Sequence, residues 1–213
     1  MTSRSLAPYI DYTLLRPGCR REEIHTLCTT AIERGYVAVC VPPYYVSDAV
    51  QYTDGTLVKV ATVVGFPHGM HLTEVKAQEA ILALQSGAQE LDMVIALAAY
   101  FSGDLGYVEA EVRHIATLAH EHGALLKVIL ETALLTPEQI QALCRLSAEA
   151  GADFVKTSTG FASKGADLES VRLMRASVPP YMGVKASGGI RTPEQAWAFI
   201  EAGATRIGTS TAL

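Results

Sequence analysis

Apolar and polar positions along the chain alternate between two regimes. Runs that are apolar almost throughout, such as Gly35-Tyr-Val-Ala-Val-Cys-Val and Gly123-Ala-Leu-Leu-Lys-Val-Ile-Leu, have the pattern of strands covered on both faces. Between them the period becomes helical. In 22–34 the apolar positions Ile24, Leu27, Cys28, Ala31 and Ile32 follow i, i+3, i+4, i+7, i+8, and 75–84 repeats the stripe at Ala77, Ala80, Ile81 and Leu84. Two further helices are predicted from an identical start, Thr136-Pro-Glu-Gln and Thr192-Pro-Glu-Gln. Each has a Thr N-cap, Pro at the first helical position and Gln three residues after the cap.

A weak internal repeat organises these segments. Gly35, Gly87, Gly123, Gly151 and Gly203 each close a helical stretch and open a β-rich run, as expected of a left-handed C′ residue that carries no Cβ. The gaps Gly35 to Gly87 and Gly151 to Gly203 are both 52 residues and leave room for one more strand each. The resulting expectation is eight strands, near 9–14, 36–41, 57–64, 89–95, 125–131, 153–157, 181–186 and 205–209. Strand and helix in alternation at this spacing predict one α/β domain over 1–213, a closed (β/α)8 TIM barrel. A doubly wound sheet is the competing architecture. It lacks its usual support, because no Gly-x-Gly-x-x-Gly follows the first strand and no Walker-type Gly-Lys-Ser/Thr occurs.

Composition narrows the function classes. The 213 residues are 49% hydrophobic and 18% charged, enough for one sizeable core. A formal net charge of −5 gives no electrostatic reason to expect a nucleic-acid or membrane partner, so an anionic ligand would need a local cluster. No apolar run approaches the roughly 20 residues of a membrane span, and Asp11 and Arg16 interrupt any secretory core near the N-terminus, so a cytoplasmic location is expected. Cys19, Cys28, Cys40 and Cys144 form no Cys-x-x-Cys pair; reduced, mostly buried thiols are expected.

Lysine placement is the chemical signal. Lys59, Lys127, Lys156 and Lys185 all fall within predicted strands, where an ammonium loses hydration unless it is paired or deprotonated. Outward snorkelling, or pairing with carboxylates such as Asp92 and Glu131, is the bland explanation. Lys156 and Lys185 stand out because they end their strands and run into Thr157-Ser-Thr-Gly160 and Ala186-Ser-Gly-Gly-Ile-Arg191. Strand C-termini carry the active site of a barrel. Burial beside a second cation lowers a lysine pKa, and the free amine then supports Schiff-base formation with a carbonyl. Asp92 stands at the same offset from Gly87 as Lys156 from Gly151, a height suited to proton transfer; a structural salt bridge to Lys127 or Lys185 is its alternative role. Ser187-Gly-Gly-Ile-Arg-Thr and Gly208-Thr-Ser-Thr follow strands seven and eight, where barrels commonly cradle phosphate. A tight turn before the Thr192 cap is the simpler reading of the first.

Together these segments resemble the deoxyribose-phosphate aldolase family of class I aldolases. The resemblance runs through Ile10-Asp-Tyr-Thr-Leu-Leu, Val39-Cys-Val-Pro-Pro, Val63-Val-Gly-Phe-Pro, Glu90-Leu-Asp-Met-Val-Ile, Leu126-Lys-Val-Ile-Leu-Glu-Thr, Asp153-Phe-Val-Lys-Thr-Ser-Thr-Gly-Phe, Val184-Lys-Ala-Ser-Gly-Gly-Ile-Arg and Arg206-Ile-Gly-Thr-Ser. It implies reversible, cofactor-free and metal-free cleavage of 2-deoxy-D-ribose 5-phosphate to D-glyceraldehyde 3-phosphate and acetaldehyde, in deoxynucleoside catabolism, by a homo-oligomer. By motif, Lys156 matches the Schiff-base lysine and Asp92 and Lys185 the proton-transfer pair. Gly160, Gly188, Gly189, Arg191, Gly208 and Ser210 match the phosphate site, Asp11 and Lys127 match positions that line or support the active site, and Cys40 matches a thiol near the pocket. Tyr12, Ser187 and His68 depart from the commoner His, Ala and Leu, and Leu213 follows the last phosphate loop so closely that strand eight is expected to lack full helical cover.

Two other functions compete. A metal-dependent aldolase would need clustered ligands, for which His68-Gly-Met-His71 with His120 and His122 are the candidates, the latter two near a helix end where capping or solvent exposure is expected. A non-catalytic phosphosugar-binding barrel would use the glycine-rich loops alone.

Overall fold

The five repeat glycines all adopt positive φ, from 67° at Gly35 to 111° at Gly203, and each turns the chain from a helix end into a strand. Each turn is short, so every strand enters the sheet in the same direction. The computed structural model describes residues 5–213. Its strands are β1 (Ile10–Thr13), β2 (Ala38–Val41), β3 (Lys59–Val64), β4 (Glu90–Val94), β5 (Leu125–Ile129), β6 (Phe154–Lys156), β7 (Gly183–Ser187) and β8 (Arg206–Thr209). All pair in parallel with their sequence neighbours, and β1 also pairs with β8, closing the barrel. The chain is a (β/α)8 TIM barrel.

The crossovers are α1 (Arg21–Arg34), α2 (Val46–Thr53), α3 (Thr73–Gln85), α5 (Leu105–Glu121), α6 (Pro137–Glu149), α7 (Leu168–Ser177) and α8 (Pro193–Glu201), with a short α4 (Leu97–Phe101) inserted after β4. The two Thr-Pro-Glu-Gln starts are capping boxes. Thr136 and Thr192 each accept the backbone N–H three residues on, at 3.3 Å, while Gln139 and Gln195 accept the caps' own N–H groups. Helix α1 buries Ile24, Leu27, Cys28 and Ala31, but Ile32 is 37% exposed, so the packed stripe is narrower than the sequence suggested. One apolar layer joins helices such as α1 to the outer strand faces through Val39, Leu91, Leu126, Val128, Val155 and Val184; each fully buried Leu or Val contributes about 1.5–3 kcal/mol.

Several boundaries moved. The expected strand at 57–64 begins at Lys59, and Leu57 is exposed. The expected 181–186 strand is 183–187, because Met182 N–H bonds back to the Pro179 carbonyl and leaves Tyr181 outside. The expected 125–131 strand stops at Ile129, and Glu131 turns left-handed (φ 52°). After β8 no helix follows among the described residues. The tail 210–213 packs beside α1 instead, where the Leu213 carbonyl accepts from Arg34 and from the Tyr36 hydroxyl at 2.7 Å. Among the described residues no helix is long and apolar enough to cross a membrane.

Candidate active site

Strand alternation decides which charged residues face inward. In β4, Glu90 and Asp92 share one face; the parallel register sets Asp92 opposite Lys127, Lys156 opposite Lys185, and Lys185 opposite Arg206. Their side chains meet inside the barrel. Asp92 lies among three lysines, accepting from Lys127 on Oδ1 at 2.7 Å, and on Oδ2 from Lys156 at 2.7 Å and Lys185 at 2.8 Å. Asp11 also accepts from Lys185, and at 2.6 Å from Arg206. Below, Glu90 pairs with Lys127 at 2.6 Å and with Arg206 at 2.9 Å. The Arg206 guanidinium rests 5.3 Å from the centre of the Phe154 ring, and Gly183 leaves that ring its space, since a Cβ there would come within 2.1 Å of it. Lys59 is the exception among the strand lysines: it is exposed, at the first position of β3, and plays no part in this network.

The network's charge can be counted. Lys127, Lys156, Lys185 and Arg206 face Asp11, Glu90 and Asp92, so four cations meet three carboxylates in a space where none of the seven is more than 7% exposed. One amine must give up its proton for the set to be neutral, which is the cheaper state in a low dielectric. Burial pushes Lys156 down from the ordinary lysine value, and the Lys185 charge adds to this while Asp92 opposes it. Burial also acts against Lys185 and Lys127. There the paired carboxylates win and hold both above the ordinary value. For Asp92, burial would raise the carboxyl, yet Lys127, Lys156 and Lys185 together keep it well below its usual range. Of the three buried network lysines, Lys156 is thus the one whose pKa lies below the ordinary lysine value.

Lys156 is also the network member that reaches the barrel mouth. It lines a cavity of about 340 Å3 together with Gly160, Gly188, Gly189, Arg191, Gly208 and Ser210, so the residues matched to a phosphate site share one opening. The glycines serve different ends. Nothing lies within 4 Å of a Cβ built on Gly160 or Gly189, which leaves their backbone open to a ligand, whereas a Cβ on Gly188 would meet Gly165 Cα at 2.9 Å. Asp92, Lys185, Lys127 and Asp11 lie beneath the cavity, out of its lining. Cys40 is fully buried beside Ala61 and Val63 in an apolar patch of the interior, and burial raises its thiol to about 11, so it stays protonated at neutral pH.

Some features escaped the sequence reading. Glu90 and Arg206 complete the lower tier of the network; their signal was a charge at alternate positions of an otherwise apolar strand. Arg16, paired with Glu23, lines the same mouth as Arg191. Phe66 and Phe161 meet edge-to-face at 5.4 Å, with Phe161 on the cavity rim. Glu131, expected as a lysine partner, binds Thr159 instead. Lys76, absent from the strand argument because it belongs to α3, is fully buried against Glu111 at 2.7 Å and donates to the Val94 carbonyl, bracing the chain just after Asp92. The histidines do not converge: His68 and His71 are exposed after β3, whereas His120 holds Asp153 and His122 meets the Leu118 carbonyl at the far end of α5. Among the described residues no group of three or more His, Cys, Asp or Glu side chains is placed to hold a metal ion.

A parallel barrel whose C-terminal mouth opens onto a buried amine of lowered pKa beside a glycine-rich cradle is a TIM-barrel enzyme of the aldolase class. The family model for DeoC/LacD family aldolases matches residues 7–212, and the chain belongs to that family. It is 55% identical over 212 residues to a deoxyribose-phosphate aldolase of Thermococcus gammatolerans, covering 99% of this chain and 94% of that protein. A deoxyribose-phosphate aldolase of Aciduliprofundum boonei is 52% identical over 210 residues, covering 99% and 95%. Among solved structures, a tetrameric deoxyribose phosphate aldolase from Aeropyrum pernix superposes with a TM-score of 0.91 at 41% identity, over 97% of this chain and 87% of that one.

Proposed function

We propose that this protein is a deoxyribose-phosphate aldolase that cleaves 2-deoxy-D-ribose 5-phosphate reversibly to D-glyceraldehyde 3-phosphate and acetaldehyde through a Schiff base on Lys156. The observation that carries the reading is the position of Lys156: 3% exposed, lowered in pKa, and on the same cavity as the glycine loops that suit a phosphate. The free amine attacks the C1 aldehyde of the open-chain sugar and forms a carbinolamine. Loss of its hydroxyl as water requires a proton, for which Lys185 is the donor, since its ammonium is held protonated and meets Asp92 Oδ2 beside Lys156. The iminium then draws electrons from the C2–C3 bond as the C3 hydroxyl loses its proton to the Asp92 side of the network. Glyceraldehyde 3-phosphate departs, and an enamine of acetaldehyde remains on Lys156. Protonation at C2 and addition of water return the amine and release acetaldehyde, so the water lost earlier is restored.

The same reading includes a cytoplasmic enzyme of deoxynucleoside catabolism and, on the example of the tetrameric Aeropyrum relative, a homo-oligomer. The reading also takes 1–213 as a single domain, supported by a barrel whose strands run from Ile10 to Thr209. Replacing Lys156 by Ala should abolish glyceraldehyde 3-phosphate release in a coupled assay while leaving the binding of inorganic phosphate in place. Wild-type activity should persist in excess chelator. Turnover by the Lys156→Ala variant would refute the nucleophile, and loss of wild-type activity in chelator would favour a metal-dependent aldolase.

A further inference from the structure

Glu131 is the only non-glycine residue at positive φ among the described residues, and its side chain is 5% exposed. A left-handed backbone at a residue with a Cβ persists only where its surroundings over-determine it. Here the determinant is the next loop. Both carboxylate oxygens accept from the Thr159 N–H, at 3.2 and 3.4 Å, and Oε2 also accepts from the Thr159 hydroxyl. That hydroxyl in turn accepts from the Phe161 N–H at 3.1 Å. Two backbone ties run alongside, Leu130 N–H to the Lys156 carbonyl at 3.0 Å and Thr132 N–H to the Thr157 carbonyl at 2.9 Å. The exit of β5 is thereby fastened to the exit of β6 on both sides of Glu131.

We propose that Glu131 is a positioning residue for the phosphate end of the site, acting through Thr159 to fix the loop that carries Gly160. The clamp satisfies the N–H groups of Thr159 and Phe161 inside the protein and leaves Gly160, between them, as the loop's open backbone donor on the cavity. A carboxylate so close to an anion subsite is tolerable because it is spent on two donors, the N–H and the hydroxyl of Thr159, before the ligand arrives; its partners are dipoles, and none of the buried ammonium groups reaches it. Phe161, tied to the same hydroxyl, is held against Phe66 where it lines the cavity, so the clamp also sets part of that wall. Nothing in this requires contact between Glu131 and substrate.

The inference rests on the aldolase reading, and its test is built to fail separately from it. Glu131→Gly suits the left-handed backbone while removing the carboxylate, and Glu131→Gln keeps an acceptor for Thr159. For both, kcat and KM are measured with 2-deoxyribose 5-phosphate and with unphosphorylated 2-deoxyribose, alongside the thermal midpoint and borohydride trapping of acetaldehyde on Lys156. Glu131→Gly should raise KM for the phosphorylated sugar by about tenfold, the scale of one charge-assisted hydrogen bond, with KM for the free sugar unchanged and trapping retained. Glu131→Gln should restore part of the loss. Equal effects on both sugars, or no effect, would overturn the positioning role, and so would a Glu131→Gln protein of native midpoint whose two KM values move together. Absence of trapping in the wild-type protein would instead overturn the aldolase reading itself.

Discussion

At the scale of single residues, one buried lysine of three has its pKa pushed below the ordinary value while the other two are held above it. Lys127 sits lowest and has two carboxylates within 2.7 Å, and Lys185 has Asp11 and Asp92, whereas Lys156 has only a share of Asp92. Burial acts on all three; the number of counter-charges separates them. Lys185 stands beside Lys156 as a positive neighbour, so Lys185→Leu should raise the Lys156 pKa and move the rising limb of the pH profile of kcat/KM toward higher pH. The rate should also fall, since the proposed mechanism loses its proton donor, but the position of the limb is the readout. A limb that stayed in place would reject the coupling. Asp92, Lys156 and Lys185 were legible in the sequence because charges within apolar strands are rare and two of them preceded glycine-rich loops. Lys59 shared the same strand signal but not the network: alternation gives the face of a strand residue, not its height, and Lys59 lies exposed at the first position of β3.

Among elements, the sequence carried most where local chemistry decides conformation. The five repeat glycines and the two Thr-Pro-Glu-Gln boxes fixed helix ends within a residue or two, because caps act through neighbours in the chain. Strand ends at the mouth were less legible. There the chain leaves the ladder for contacts with the next loop, as Glu131 does with Thr159, and no short-range pattern announces a partner 28 residues away. The close packing of β7 on β8 is a second such case. A Cβ on Gly208 would fall 2.3 Å from Ser187 Oγ and 3.1 Å from Lys185 Cε. Gly208→Ala should therefore leave the barrel folded but displace the Lys185 stem, lowering kcat/KM by about a hundredfold, the scale of a 1 Å error in a catalytic group. Native kinetics in that variant, with an unchanged melting temperature, would show that the strand pair has slack that the geometry does not suggest.

For the molecule as a whole, the barrel divides its labour between two surfaces. Outward strand faces meet the helices in one apolar layer, and the inward faces hold an ionic network of seven side chains beneath a ligand cavity. A core of this kind is costly to desolvate and is maintained only because its members are paired. Its one surplus positive charge would tie the fold to the proposed chemistry, since neutralising the set and arming an amine would be the same event. The direct test is to incubate the native protein with acetaldehyde, reduce with borohydride, and map the modified peptide by mass spectrometry. The account predicts a single added ethyl group on Lys156, suppressed when inorganic phosphate and D-glyceraldehyde occupy the mouth together. An adduct on Lys127, Lys185 or a surface lysine with Lys156 untouched, or no adduct at all, would contradict it.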